Sequence, residues 1–91
     1  MFLEIISPEA TIFSGEVLSV SVPGESGSFQ MLNNHAPIVS SLKPGNILIE
    51  GDLKIKEEHK NKFKDQNGKT SFIVNSGTIE MNNNKLVILA D

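Results

Sequence analysis

Turn-forming residues punctuate this chain about every eight to twelve positions, a spacing that favours an all-β sandwich or barrel. The intervening runs are short. "EVLSVSV" alternates, with Leu18, Val20 and Val22 on one side and Val17, Ser19 and Ser21 on the other. That is the period of a half-buried strand. "PGESG" then turns the chain, "SFQML" and "PIVSSL" are further strands, and Pro44-Gly45 closes the second of them. "NILIE" and "LKIK" follow, with Leu53 and Ile55 facing one way and Lys54 and Lys56 the other. "TSFIV", "GTIEM" and "KLVILA" complete the set, joined through Asn75-Ser76 and "NNNK". The opening "MFLEIISPEA" reads as a first strand, because Glu4 interrupts its apolar run and no basic residue precedes it.

No helical period runs longer than two turns. "KEEHKNKFK" is compatible with a helix, but Phe63 is its single apolar anchor, too little to dock one. Asp65-Gln66-Asn67-Gly68 reads instead as a hairpin tip, since Asn-Gly favours a type I′ turn. The expected architecture is all-β: a two-sheet β-sandwich of short strands with no substantial helix. One domain spans residues 1–91, with an elongated lysine-rich hairpin or loop at about 51–69.

Charge narrows the function. The net charge is −3, and there is no arginine, the preferred reader of phosphates and guanine edges, so nucleic acid is not an expected partner. Six of the eight lysines (Lys54, Lys56, Lys60, Lys62, Lys64 and Lys69) fall within sixteen residues. With Glu57, Glu58 and Asp65 that segment carries +3, leaving −6 on the rest. A solvated loop accounts for it, and His59 within it is expected to be solvated too. There is no cysteine, which excludes disulfides and thiolate metal sites. No apolar run approaches the ~20 residues of a spanning helix.

Motifs for catalysis are not found. Ser26 in "GESGS" does not match the Gly-x-Ser-x-Gly elbow, and "PGESGS" lacks the Gly-Lys-Ser/Thr ending of a phosphate loop. His35 has no carboxylate at metal-ligand spacing. It sits in "NNHAP", where the asparagines tolerate positive φ and Pro37 holds Ala36 extended. Either a loop-end histidine bonded to nearby backbone or a partner contact fits it. No catalytic, metal or cofactor residue is expected. The whole stretch Gly27–Gly45 is poor in charge, as the centres of interfaces are.

Four motifs in order then carry a resemblance: Phe13-Ser14-Gly15, Gly24-x-x-Gly27, His35-Ala36-Pro37 and Lys43-Pro44-Gly45, with Ser76-Gly77 and Leu89-Ala90-Asp91 at the end. Together they closely resemble the amino-terminal β-sandwich domain of ε subunits of bacterial F-type ATP synthases. The likeness covers both ends of the chain and lapses between roughly Gly51 and Lys69, where the segment is longer than in most members. The family's Pro-Gly before the histidine is Asn33-Asn34 here, and Asn can supply the same left-handed turn. Members typically continue into a carboxyl-terminal helical hairpin, which binds ATP in some and restrains hydrolysis. These 91 residues stop before it, so no hairpin-type inhibition is expected of them.

The resemblance implies a central-stalk rotor subunit, not catalytic by itself, that couples proton-driven c-ring rotation to the γ subunit and so to ATP synthesis. It implies γ and the c-ring as partners and a peripheral place at the cytoplasmic face of the bacterial inner membrane. It places Gly27, Ser28, Phe29 and His35 toward the c-ring, and Ser7, His35 and Ser40 along γ. The alternative from another class is a small-ligand or glycan-binding β-sandwich. That needs exposed aromatic platforms, whereas Trp and Tyr are absent and most of the five Phe occupy core-like positions.

Overall fold

The computed structural model describes residues 1–91. It contains ten strands: β1 (Phe2–Ile6), β2 (Thr11–Glu16), β3 (Ser19–Gly24), β4 (Gly27–Leu32), β5 (Ile38–Leu42), β6 (Gly45–Glu50), β7 (Phe63–Gln66), β8 (Lys69–Val74), β9 (Gly77–Asn82) and β10 (Lys85–Ala90). The only helical element is a 3₁₀ helix, Glu57–Lys62. One layer runs β2-β1-β10-β9-β5 and the other β4-β3-β6-β8-β7. A single pair, Gly24 with Leu42, links β3 to β5 and joins the layers. This is the expected all-β sandwich. All pairs are antiparallel except β1 with β10, whose register runs from Phe2–Lys85 to Ile6–Leu89.

Period-two patterning produces the core. Leu3 and Ile5 of β1, Leu86, Ile88 and Ala90 of β10, and Ile79 and Met81 of β9 face inward from one layer. Val20, Val22, Met31, Ile47, Ile49, Phe72 and Val74 meet them from the other. Burying each of these side chains except the small Ala90 contributes about 1.5–3 kcal/mol relative to leaving it exposed. A strand slipped by one residue would turn this set outward, so the core fixes the register.

At one strand the alternation is misassigned by sequence. Val17 is buried and Leu18 is 67% exposed, the reverse of a continuous strand through Val17–Val22. β3 begins only at Ser19. The Val17 N–H bonds the Met1 carbonyl and the Leu18 N–H bonds the Glu50 carbonyl, so the chain changes partner between them and the alternation resets. β2 carries buried Ile12 and Phe13 together and a register shift opposite Ile5/Ile6, which hides it from period-two reading.

Between Gly51 and Lys69 the chain does three things. Residues 52–56 run outside any ladder, with Leu53 and Ile55 packed on the core and Lys54 and Lys56 exposed. The 3₁₀ helix follows, and β7 and β8 form a hairpin. Its tip, Asn67-Gly68, has φ of 54° and 84°, both positive as a type I′ turn requires. Phe63 is buried against Phe72 with ring centroids 5.2 Å apart. His59 is buried rather than solvated, correcting the expectation from its lysine-rich surroundings. The 3₁₀ helix folds it inward while Glu57 and Lys60 pair at 3.2 Å on the outside.

Candidate functional site

All but one of the residues flagged by sequence fall at two ends of the sandwich, which β4 connects; Ser40 lies between them. At one end is the β3–β4 turn. Gly24 pairs with Gly27 around Glu25-Ser26, and Gly27 has φ 129°, a conformation side chains rarely adopt. A Cβ on Gly24 would lie 2.7 Å from the Phe29 ring, so the glycine lets that half-buried ring fold over the turn. The turn is tied to β5: the Glu25 N–H donates to the Ser41 carbonyl at 3.0 Å, and the Lys43 N–H to the Pro23 carbonyl at 2.9 Å. Gly27 and Ser28 are exposed.

Ser7 belongs to this same end, because β1 ends where β10 ends and β9 begins. Its hydroxyl accepts from the Ala10 N–H at 3.3 Å and its N–H donates to the Ala10 carbonyl at 2.9 Å, closing the β1–β2 turn. Ser76 bonds Asp91 beside it. Ser40 lies midway along β5, its hydroxyl donating to the Ser41 carbonyl at 3.2 Å.

His35 sits at the opposite end, in the β4–β5 connection. Strands rise about 3.3 Å per residue, so the length of β4 puts it on the order of 20 Å from the β3–β4 turn. The structure therefore does not bring His35 together with Gly27, Ser28 and Phe29, nor with Ser7. The His35 N–H donates to the Leu32 carbonyl at 3.1 Å. Its Nδ1 lies 2.7 Å from the Ala36 carbonyl. A carbonyl can only accept, so Nδ1 carries a proton and Nε2 is left without a partner. Both readings of His35 thus remain compatible: one ring nitrogen holds the backbone, and the other is uncommitted.

Sequence reasoning missed what holds this loop. Asn34 has φ 63°, supplying the left-handed residue expected of Asn33-Asn34. Beyond that, Asn84 of the β9–β10 turn clasps the loop. Its Oδ1 accepts from the Asn34 N–H at 2.7 Å, and its Nδ2 donates to Asn33 Oδ1 at 2.9 Å. The Met1 ammonium donates to the same Asn33 oxygen at 2.8 Å and lies 3.3 Å from Glu16. The signal was three asparagines in "NNNK" facing two in "NNHAP", but only the tertiary fold pairs residues 50 positions apart.

An open cleft of about 640 Å³ lies beside the clasp, lined by Met1, Glu16, Val17, Leu18, Asn33, Gly51 and Asp52. It has no aromatic wall on which a sugar ring could stack.

Comparison with known proteins places this architecture. The family model for the ATP synthase Delta/Epsilon chain, beta-sandwich domain, matches residues 1–91. An ATP synthase epsilon chain of Chlorobium limicola is 35% identical over 98% of this chain and 86% of its own length. One of Campylobacter curvus is 40% identical over 100% of this chain and 60% of its own length, and one of Sulfurimonas denitrificans is 34% identical over 98% and 58%. The chain thus spans between about six- and nine-tenths of these relatives. Among solved structures, a chain in the central stalk/c-ring of the Tetrahymena thermophila mitochondrial ATP synthase superposes with a TM-score of 0.75 over 99% of this chain and 62% of its own. At 15% identity that likeness shows the fold. With residues 1–91 matched by the family model and this chain aligned over nearly all of its own length to its relatives, the chain belongs to the ATP synthase Delta/Epsilon chain beta-sandwich family.

Proposed function

We propose that this domain is a rotor component of an F-type ATP synthase, coupling c-ring rotation to the γ subunit and so to ATP synthesis. The observation that carries the reading is the match of the family model over all of residues 1–91. The domain serves the enzyme complex mechanically and does no chemistry itself. In support, two of its flagged polar side chains bond local backbone: Ser7 closes β1–β2 and His35 Nδ1 holds the Ala36 carbonyl, while Asn84 fixes the same β4–β5 loop. It is peripheral, held through its partners at the cytoplasmic face of a bacterial inner membrane. The family match does not favour a glycan-binding module.

The two ends divide the work. The β3–β4 turn, with Gly27, Ser28 and Phe29, faces the c-ring, and Ser7 beside it reaches the γ side. His35 and Ser40 contact γ, and His35 bears on the ring only through the length of β4. A sandwich suits this task because close-packed layers transmit strain with little compression.

The test uses membranes stripped of their own ε subunit, where proton-driven ATP synthesis is lost. Adding this chain should restore synthesis and bring the chain into the complex with γ. A chain that binds neither γ nor the ring, and restores nothing, removes the reading.

A further inference from the structure

Each layer of a sandwich has two edges, and an edge left unpaired is a template for another strand. Three of the four edges here are blocked. β2 is bent by the register shift opposite Ile5/Ile6, and the charged Asp52 and Lys54 line a pocket with Phe13–Glu16 beside it. β7 has four residues, carries Lys64 and Asp65, and is entered directly from the 3₁₀ helix. β5 is preceded by Pro37 and meets the β3–β4 turn at its far end through Ser41 and Lys43.

β4 has none of these devices. It pairs with β3 alone, over six residues, "GSFQML", without charge, proline or bulge. Antiparallel bonds alternate along a strand. Gly27, Phe29 and Met31 bond toward β3, while Ser28, Gln30 and Leu32 present their backbone groups outward. The Leu32 carbonyl on that side is taken by the His35 N–H. Ser28 and Gln30 keep both groups unpaired, and Leu32 its N–H. The Leu32 side chain is 56% exposed beside them.

We propose that the free edge of β4 is a strand-addition site, which takes an extended, uncharged segment of the neighbouring stalk subunit, γ, into the sheet. The inference rests on the rotor reading and gives it a mode of contact. A strand laid along β4 runs from beside the ring-facing β3–β4 turn to the His35 loop, so a γ segment here meets its His35 contact and ends about 20 Å away, next to the ring. A second copy of this chain is the poorer occupant. Edge-to-edge pairing of two six-residue strands buries far less than the ~1,600 Å² of a stable interface. The added strand must therefore belong to a partner with further contacts. Backbone pairing supplies affinity, and the uncharged edge offers no partner to a charged side chain lying beside it.

The experiment is amide hydrogen exchange on this chain, free and in complex with purified γ. The amides of Ser28, Gln30 and Leu32 should exchange quickly in the free chain and at least a hundredfold more slowly in the complex. Those of Phe29 and Met31, already bonded to β3, serve as internal controls. Two variants separate backbone from side chain. Gln30→Pro removes the outward N–H without touching the β3 ladder and should weaken γ binding at least tenfold; Gln30→Ala keeps the N–H and should stay within twofold. If Gln30→Pro fails to fold, the exchange result decides alone. Binding to γ with the three amides still fast, or equal effects of the two variants, overturns strand addition and leaves the rotor reading standing. Failure of the unaltered chain to bind γ overturns both. Self-association with β4 protection in the absence of γ replaces the partner strand with a second copy.

Discussion

At His35 the proton on Nδ1 is committed to the Ala36 carbonyl, and Nε2 is left free for a partner. His35→Ala is expected to leave the sandwich folded, since the ring's one hydrogen bond is to the adjacent Ala36 carbonyl. It should weaken γ binding by more than about 1 kcal/mol, the usual threshold for an interface residue that counts. Titration calorimetry with γ reads it, and an unchanged affinity would remove His35 from the interface. His59 presents the opposite case: it is buried, and its Nδ1 has no hydrogen-bond partner. An unsatisfied buried polar atom costs about 1–3 kcal/mol. His59→Leu should therefore match or exceed the wild-type stability, while His59→Ala, which also opens a void, should lose stability. Urea denaturation of both variants checks the ordering, and a large loss in His59→Leu would mean the imidazole does hold a bond. Asn84 is a third instance of one side chain fixing a remote loop. Asn84→Ala removes both bonds to the Asn33-Asn34 turn at once. At roughly 0.5–1.5 kcal/mol per bond, a loss of about 1–3 kcal/mol is expected in the same denaturation experiment.

Among the elements, the β7–β8 hairpin was the most legible from sequence and the 3₁₀ helix the least. Asn67-Gly68 requires positive φ at both residues, and that local chemistry specifies the turn before any tertiary contact forms. Gly68→Ala keeps the N–H and adds only a Cβ, with no atom within 4 Å of it, so strain at φ +84° is the only penalty. A cost of about 1 kcal/mol is expected, visible as a lower urea midpoint with unchanged slope. A cost well above this would mean the tip touches something else. The Glu57–Lys62 helix could not be read from pattern, because its inward face carries His59 and the next apolar anchor is Phe63, which already belongs to β7. β4 was legible as a strand but not as an edge. Which strands sit in the middle of a layer depends on pairings between residues far apart in the chain.

For the whole molecule, the proposed rotor role requires a small domain to resist torque. One charge crossing about 150 mV releases on the order of 3.5 kcal/mol, and one hot-spot contact contributes about 2 kcal/mol. Contacts at the two ends of β4 must therefore act together. His35→Ala alone is expected to leave ATP-driven proton pumping coupled to hydrolysis. Combined with Gln30→Pro, it should let hydrolysis run with diminished pumping in reconstituted vesicles. Full uncoupling by His35→Ala alone would show that coupling rests on a single contact.

Several features of the protein were determined by sequence alone. Turn chemistry and period-two patterning dictated an all-β sandwich, because each strand must bury one face and each Gly, Pro or Asn cluster must reverse the chain. The four spaced motifs carried the family. The left-handed turn at Asn34 and the type I′ tip at Asn67-Gly68 were also local, since backbone sterics decide them within two residues. Tertiary structure decided the rest. Val17 and Leu18 exchanged faces because hydrogen-bond partners 16 and 32 residues away, Met1 and Glu50, reset the strand. His59 went inside because a core formed beneath it. His35 parted from Gly27 because β4 lies extended between them, and pairing with β3 alone left β4 at an edge. Such outcomes depend on which distant segments pair, and no local pattern of residues encodes that choice.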